Sequence, residues 1–83
     1  MKRIVVLRPA AERAIAQMDR ATADRIVRAL AAFAADGPVD VKALKGELKG
    51  KFRLRVGKWR AIFSLDLPGT ILVFDIDNRG QAY

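Results

Sequence analysis

Residues 51–63 read Lys-Phe-Arg-Leu-Arg-Val-Gly-Lys-Trp-Arg-Ala-Ile-Phe. Phe52, Leu54 and Val56 alternate with Lys51, Arg53 and Arg55, and this period of 2 marks a strand. Gly57-Lys58 then reads as a two-residue turn with glycine in the first central place, as a type II′ reversal requires. Trp59, Ala61 and Phe63 carry the alternation back. A turn of that length fixes the register, placing Val56 opposite Trp59, Leu54 opposite Ala61 and Phe52 opposite Phe63 on the core face. The other face pairs Arg55 with Arg60, Arg53 with Ile62 and Lys51 with Ser64. Like charges set directly opposite are unfavourable, so such a face is either fully solvated or built to hold an anion.

Working outward, Arg3–Leu7 is a β-branched, apolar first strand. Pro9 opens a helix over 9–18 with Ala11, Ile15 and Met18 on one stripe and Glu12 in the favourable first turn. A break near Asp19–Thr22 supplies cap residues, although Thr22 followed by Arg25 makes no capping box. A second helix over 23–36 carries Ile26, Leu30 and Phe33 as its core stripe, with Val27, Ala31 and Ala34 beside it. Asp36-Gly37-Pro38 stops it, glycine taking the left-handed cap. Residues 38–50 have little periodicity. Val41 and Leu44 are expected under the sheet, and Lys45–Gly50 is a basic, glycine-punctuated loop without a Walker ending.

Beyond the hairpin, Asp66-Leu67-Pro68-Gly69 is a turn and residues 70–77 a last strand. A four-residue turn pairs Leu65 with Thr70, Phe63 with Leu72, Ala61 with Phe74 and Trp59 with Ile76, and sets Ile62 against Val73 and Arg60 against Asp75 on the opposite face. Arg79 has the parity of that face. The fold class is α+β in the order β-α-α-β-β-β, with the helical hairpin packed on the one continuously apolar face of an antiparallel sheet.

The 83 residues suit a single domain, 1–83. There is no Cys and no His, which removes disulfides, thiolate chemistry, the usual general base and the commonest metal ligand. No apolar run reaches the length of a membrane span or a signal peptide, so a cytoplasmic location is expected. The net charge is +7, and eight basic residues fall between Lys42 and Arg60 against the single acid Glu47. That concentration argues for a polyanionic partner, nucleic acid before membrane. Arg53, Arg55, Arg60 and Arg79 can grip phosphate and stabilise a pentacoordinate phosphoryl transition state, and Tyr83 can stack a base or handle a proton. Lys45, Lys49, Lys51 and Lys58 are candidate RNA contacts. Asp75 and Asp77 alone make a weak metal site, so no metal or other cofactor is expected. This set suits binding and cleaving RNA with the ribose 2′-OH as nucleophile.

At Leu44-Lys45-Gly46, at Phe52–Phe63 and at Asn78-Arg79-Gly80-Gln81-Ala82-Tyr83 the sequence resembles the RelE/ParE superfamily of toxin–antitoxin toxins, and the order of elements agrees along essentially the whole chain. The resemblance implies that the first strand lies beside the last, and that Arg53, Arg55, Arg60, Arg79 and Tyr83 are the catalytic positions. It also implies a ribosome-dependent mRNA endonuclease, and a cognate antitoxin that blocks the basic face. The superfamily equally contains ParE-like toxins that inhibit DNA gyrase by protein binding, and a basic module without activity is a third reading. Arg53 and Arg55 stand where well-characterised mRNA-cleaving members carry Lys, and Asn78 stands where they carry His. Arginine does not act readily as a base, which leaves Tyr83, or no protein group, to accept the 2′-OH proton.

Overall fold

The computed structural model describes residues 2–78. The chain runs β1 (Ile4–Leu7), α1 (Pro9–Gln17), α2 (Arg20–Ala34), β2 (Asp40–Ala43), a 3₁₀ turn (Gly46–Leu48), β3 (Lys51–Val56), β4 (Trp59–Ser64) and β5 (Thr70–Asp77). The strands form one mixed sheet in the order β1-β5-β4-β3-β2. The first strand lies beside the last, in parallel, and every other pair is antiparallel.

The β3–β4 hairpin has the register that its turn dictates, with Val56 opposite Trp59, Leu54 opposite Ala61, Phe52 opposite Phe63 and Arg55 opposite Arg60. Gly57 has φ 59, whereas Lys58 keeps a negative φ, as a type II′ turn demands. Both helices pack on one side, α1 across β5 and α2 across β1 and β3. Ala11, Ile26, Leu30 and Ala34 from the helices meet Leu54, Ala61, Phe63, Ile71, Val73 and Ile76 from the sheet. Phe63 is fully buried between Phe33 and Phe52, with ring centroids at 5.2 and 5.5 Å. Among the described residues no helix is long and apolar enough to cross a membrane.

Several expectations are corrected. Residues 40–43 are a strand: β2 pairs with β3, Asp40 against Arg55 and Lys42 against Arg53. Four residues with Val41 as their one large apolar side chain give too short an alternation to read. The break at Asp19–Thr22 supplies the cap as expected, but the helix after it begins at Arg20 rather than at 23. The Asp19 carboxylate accepts from the Thr22 N–H at 3.0 Å, so α2 starts at Arg20 with Asp19 as its cap. Its far end closes with Asp36, not Gly37, in the left-handed conformation (φ 62). The Gly37 N–H donates to Ala32 O at 2.7 Å and the Asp36 N–H to Phe33 O at 3.0 Å, a Schellman arrangement. Gly37 is needed for space, because a Cβ there would lie 3.0 Å from Ala32 O. Val27 and Ala31, placed beside the core stripe, are exposed.

The largest correction concerns β5. Ser64 pairs with Leu72 and Phe63 with Val73, and after a bulge Ile62 pairs with Asp75, Ala61 with Ile76 and Arg60 with Asp77. The connection is longer than four residues: β4 and β5 first pair at Ser64 and Leu72, while Thr70 and Ile71 pair along the other edge with Ile4 and Val5 of β1. That parallel pairing aligns Ile71 and Val73 with Val5 and Leu7, and the core face of β5 becomes Ile71, Val73 and Ile76. Leu72 and Phe74, expected inside, are only half-buried. Phe74 is the extra residue of the bulge, which re-aims side chains locally.

Candidate functional site: a cationic cavity on the sheet

On the face away from the helices, strand pairing writes the charges in rows. One row runs Asp40, Arg55, Arg60, Asp77, and the next runs Lys42, Arg53, Ile62, Asp75. The Arg55–Arg60 juxtaposition read from the hairpin is therefore flanked by a carboxylate on either side, which offsets the like-charge cost. Arg60 bridges Asp77, Nη2 to Oδ1 at 3.7 Å, rather than the expected Asp75; the longer connection and the bulge move the partner two places along β5. Arg53 Nη1 lies 3.4 Å from Asp40 Oδ1.

This face is less open than alternation implies. Arg60 is 3% exposed and Ser64 2%, because both stand on β4, the middle of the five strands. Arg55, Lys42 and Lys45 are exposed, and Arg53 is half-buried. Lys42, Ala43, Leu44, Lys45, Arg53, Arg55 and Arg60 together line a cavity of about 370 Å³. Five cations face it, and the two that are most buried are each tied to a carboxylate. A cavity walled in this way concentrates a positive field and offers guanidinium forks for bidentate contact with a phosphate.

The expected site residues thus divide. Arg53, Arg55, Arg60 and Lys45 come together in the cavity. Lys51 projects from the same strand but lies over the Phe74 ring, 5.1 Å from its centroid. It lines a second, smaller cavity of about 230 Å³ with Leu48, Ile62, Phe74 and Asp75. Lys49 follows the 3₁₀ turn and Lys58 occupies the hairpin turn; both are exposed and line neither cavity. Arg79 and Tyr83 lie outside the described residues. Lys42 was missed, and the signal that finds it is its place two residues after Asp40 in a strand antiparallel to β3, which sets it opposite Arg53.

The model of the ParE toxin of type II toxin–antitoxin systems, parDE, matches residues 5–83. The chain belongs to that family of toxins. The solved toxin–antitoxin complex RelBE2 from Mycobacterium tuberculosis holds a similar chain, with TM-score 0.82 and 22% identity over 95% of this chain and 100% of that one. The archaeal RelE–RelB complex from Pyrococcus horikoshii gives 0.73 and 20% over 98% of each chain. The RelB–RelE complex from Methanococcus jannaschii gives 0.71 and 17% over 89% of each. No curated protein matches the chain. The toxin thus carries a ParE-family sequence signature on a fold shared with RelE chains, with five cations brought together on the sheet face that the helices leave uncovered.

Proposed function

We propose that this toxin is a ribosome-dependent mRNA endonuclease and that the cationic cavity holds the scissile phosphate. The observation that carries this reading is the convergence of Lys42, Lys45, Arg53, Arg55 and Arg60 on one cavity. In the reaction the ribose 2′-oxygen attacks the adjacent phosphorus, the bond to the 5′-oxygen breaks, and the products are a 2′,3′-cyclic phosphate and a 5′-hydroxyl. The extra negative charge of the pentacoordinate intermediate is met by the guanidinium groups of Arg53, which Asp40 holds in place, and of Arg55 at the cavity mouth. Asp77 holds Arg60 against the cavity wall, where it contributes charge and shape. Arg79 and Tyr83 enter by resemblance, the first as a further phosphate contact and the second as acceptor of the 2′-OH proton. Among the described residues no three His, Cys, Asp or Glu side chains gather into a metal site.

The match to the ParE family favours a second reading, inhibition of DNA gyrase through protein contact, in which the same cations meet an acidic protein surface. Either reading includes a cognate antitoxin, the kind of partner named in the RelBE complexes, and charge complementarity favours acidic side chains of that partner over the basic face. The discriminating experiment incubates purified toxin with mRNA-programmed ribosomes and determines the ends of the products. Expected are cuts within translated codons that leave 5′-hydroxyl ends, abolished by Arg55→Ala. Intact mRNA together with inhibited gyrase supercoiling would replace this reading with the second.

A further inference from the structure

The second cavity shares the sheet face with the first. Ile62 on β4 pairs with Arg53 on one side and Asp75 on the other. Strands lie about 4.8 Å apart, so Arg53 and Asp75 are separated by roughly 10 Å across that row, close to the reach of one nucleotide. The bulge between Ile62 and Phe63 makes the cavity: it brings Phe74 and Asp75 to the same rim, whereas an unbroken strand sends neighbouring side chains to opposite faces. Leu48 and Ile62 complete an apolar floor. Asp75 Oδ1 accepts the Ile76 N–H at 2.8 Å, which pins the carboxylate at the rim while leaving it further acceptor capacity. An aromatic ring, an apolar floor and an anchored acceptor beside a cationic cavity match the parts of a nucleotide: flat base, N–H edge, anionic backbone.

We propose that this cavity is a nucleobase subsite, in which Phe74 stacks on the base next to the bound phosphate and Asp75 accepts from that base's N–H edge. This deepens the RNA reading above and rests on it. Lys51 now covers the Phe74 ring. Base–aromatic stacking is stronger than an exposed cation–π contact, so the base displaces the ammonium, which turns to the neighbouring phosphate. Guanine, with adjacent N1–H and N2–H donors, is the base that the carboxylate favours.

The test measures binding of short labelled oligoribonucleotides that carry a 2′-deoxy nucleotide at the cleavable position, against matched oligomers with abasic sites. Wild type is expected to favour the base-containing strands, and guanine among them. Phe74→Leu is expected to lose about 5- to 100-fold toward those strands and nothing toward the abasic ones. Asp75→Asn is expected to erase the guanine preference while leaving stacking intact. Base-containing and abasic strands bound equally by wild type, with Arg55→Ala still weakening both, overturns the subsite and leaves the phosphate reading standing. No RNA binding by any form overturns the subsite, and the phosphate reading is then decided by cleavage of mRNA on programmed ribosomes. Weaker antitoxin capture by Phe74→Leu with unchanged base discrimination assigns the cavity to the protein partner instead.

Discussion

Arg60 and Arg55 face each other across the hairpin, and their environments assign them different tasks. Arg60 is buried and bridged to Asp77, whereas Arg55 stands exposed at the cavity mouth. Removing one member of a buried ion pair strands the other, a loss of about 3 kcal/mol. Arg60→Ala is therefore expected to lower stability by about that amount in urea denaturation, with Asp77→Ala close behind. Arg55→Ala is expected to stay within about 0.5 kcal/mol of wild type. Loss of toxicity in Arg55→Ala thus reports on function, whereas in Arg60→Ala it also reports on folding. Equal destabilisation by the two substitutions would contradict the distinction. Half of this was legible in the sequence. The hairpin alternation set Arg55 against Arg60, but the partner of Arg60 depended on β5, whose register no local signal fixes.

At the scale of elements, the type II′ turn is the feature on which the β3–β4 pairing rests. Gly57 adopts a left-handed φ that a side chain resists. Gly57→Ala is expected to cost about 1–2 kcal/mol, checked by thermal denaturation; a neutral result would mean that the register is held by packing alone. The start of α2 depends on Asp19. Hydrogen bonds from the Thr22 side chain, and then from the Thr22 backbone N–H, hold its carboxyl below the usual carboxylate range. A folded-state pKa below the unfolded one contributes stability that is complete above the unfolded value and fades as pH falls through the folded one. Asp19→Ala should therefore lower the melting temperature at pH 7 and have progressively less effect as the solution is acidified below the ordinary carboxylate pKa. An effect independent of pH would contradict it. What could be read here was what chemistry marks locally: the Gly57 turn, the proline at the start of α1, the apolar stripe of α2. What could not was what distant pairing decides. The register of β5 is set by β1 along one edge and β4 along the other, its bulge carries Phe74 out of the core, and β2 is defined by its partner rather than by its own four residues.

Taken whole, the molecule divides its surfaces by task. The helices seal one side of the sheet, and the other side brings five cations together around one cavity. Binding to single-stranded RNA through its five cations predicts a slope of log affinity against log salt of about −3.5 if all five act, and about −2 if the two that are bridged to carboxylates release few ions. A slope near zero would remove phosphate gripping as the source of affinity. The fold and its charged face follow from the sequence through the hairpin and the amphipathic helices, whereas the identity of the target depends on how the cavity meets a ligand. Transcriptome-wide mapping of 5′-hydroxyl RNA ends in cells expressing the toxin, set beside cells expressing Arg55→Ala, tests the central claim most directly. The account predicts new ends inside translated reading frames with wild type and their disappearance with the variant at equal protein levels. Growth arrest without new ends, or ends that persist in Arg55→Ala, would contradict it.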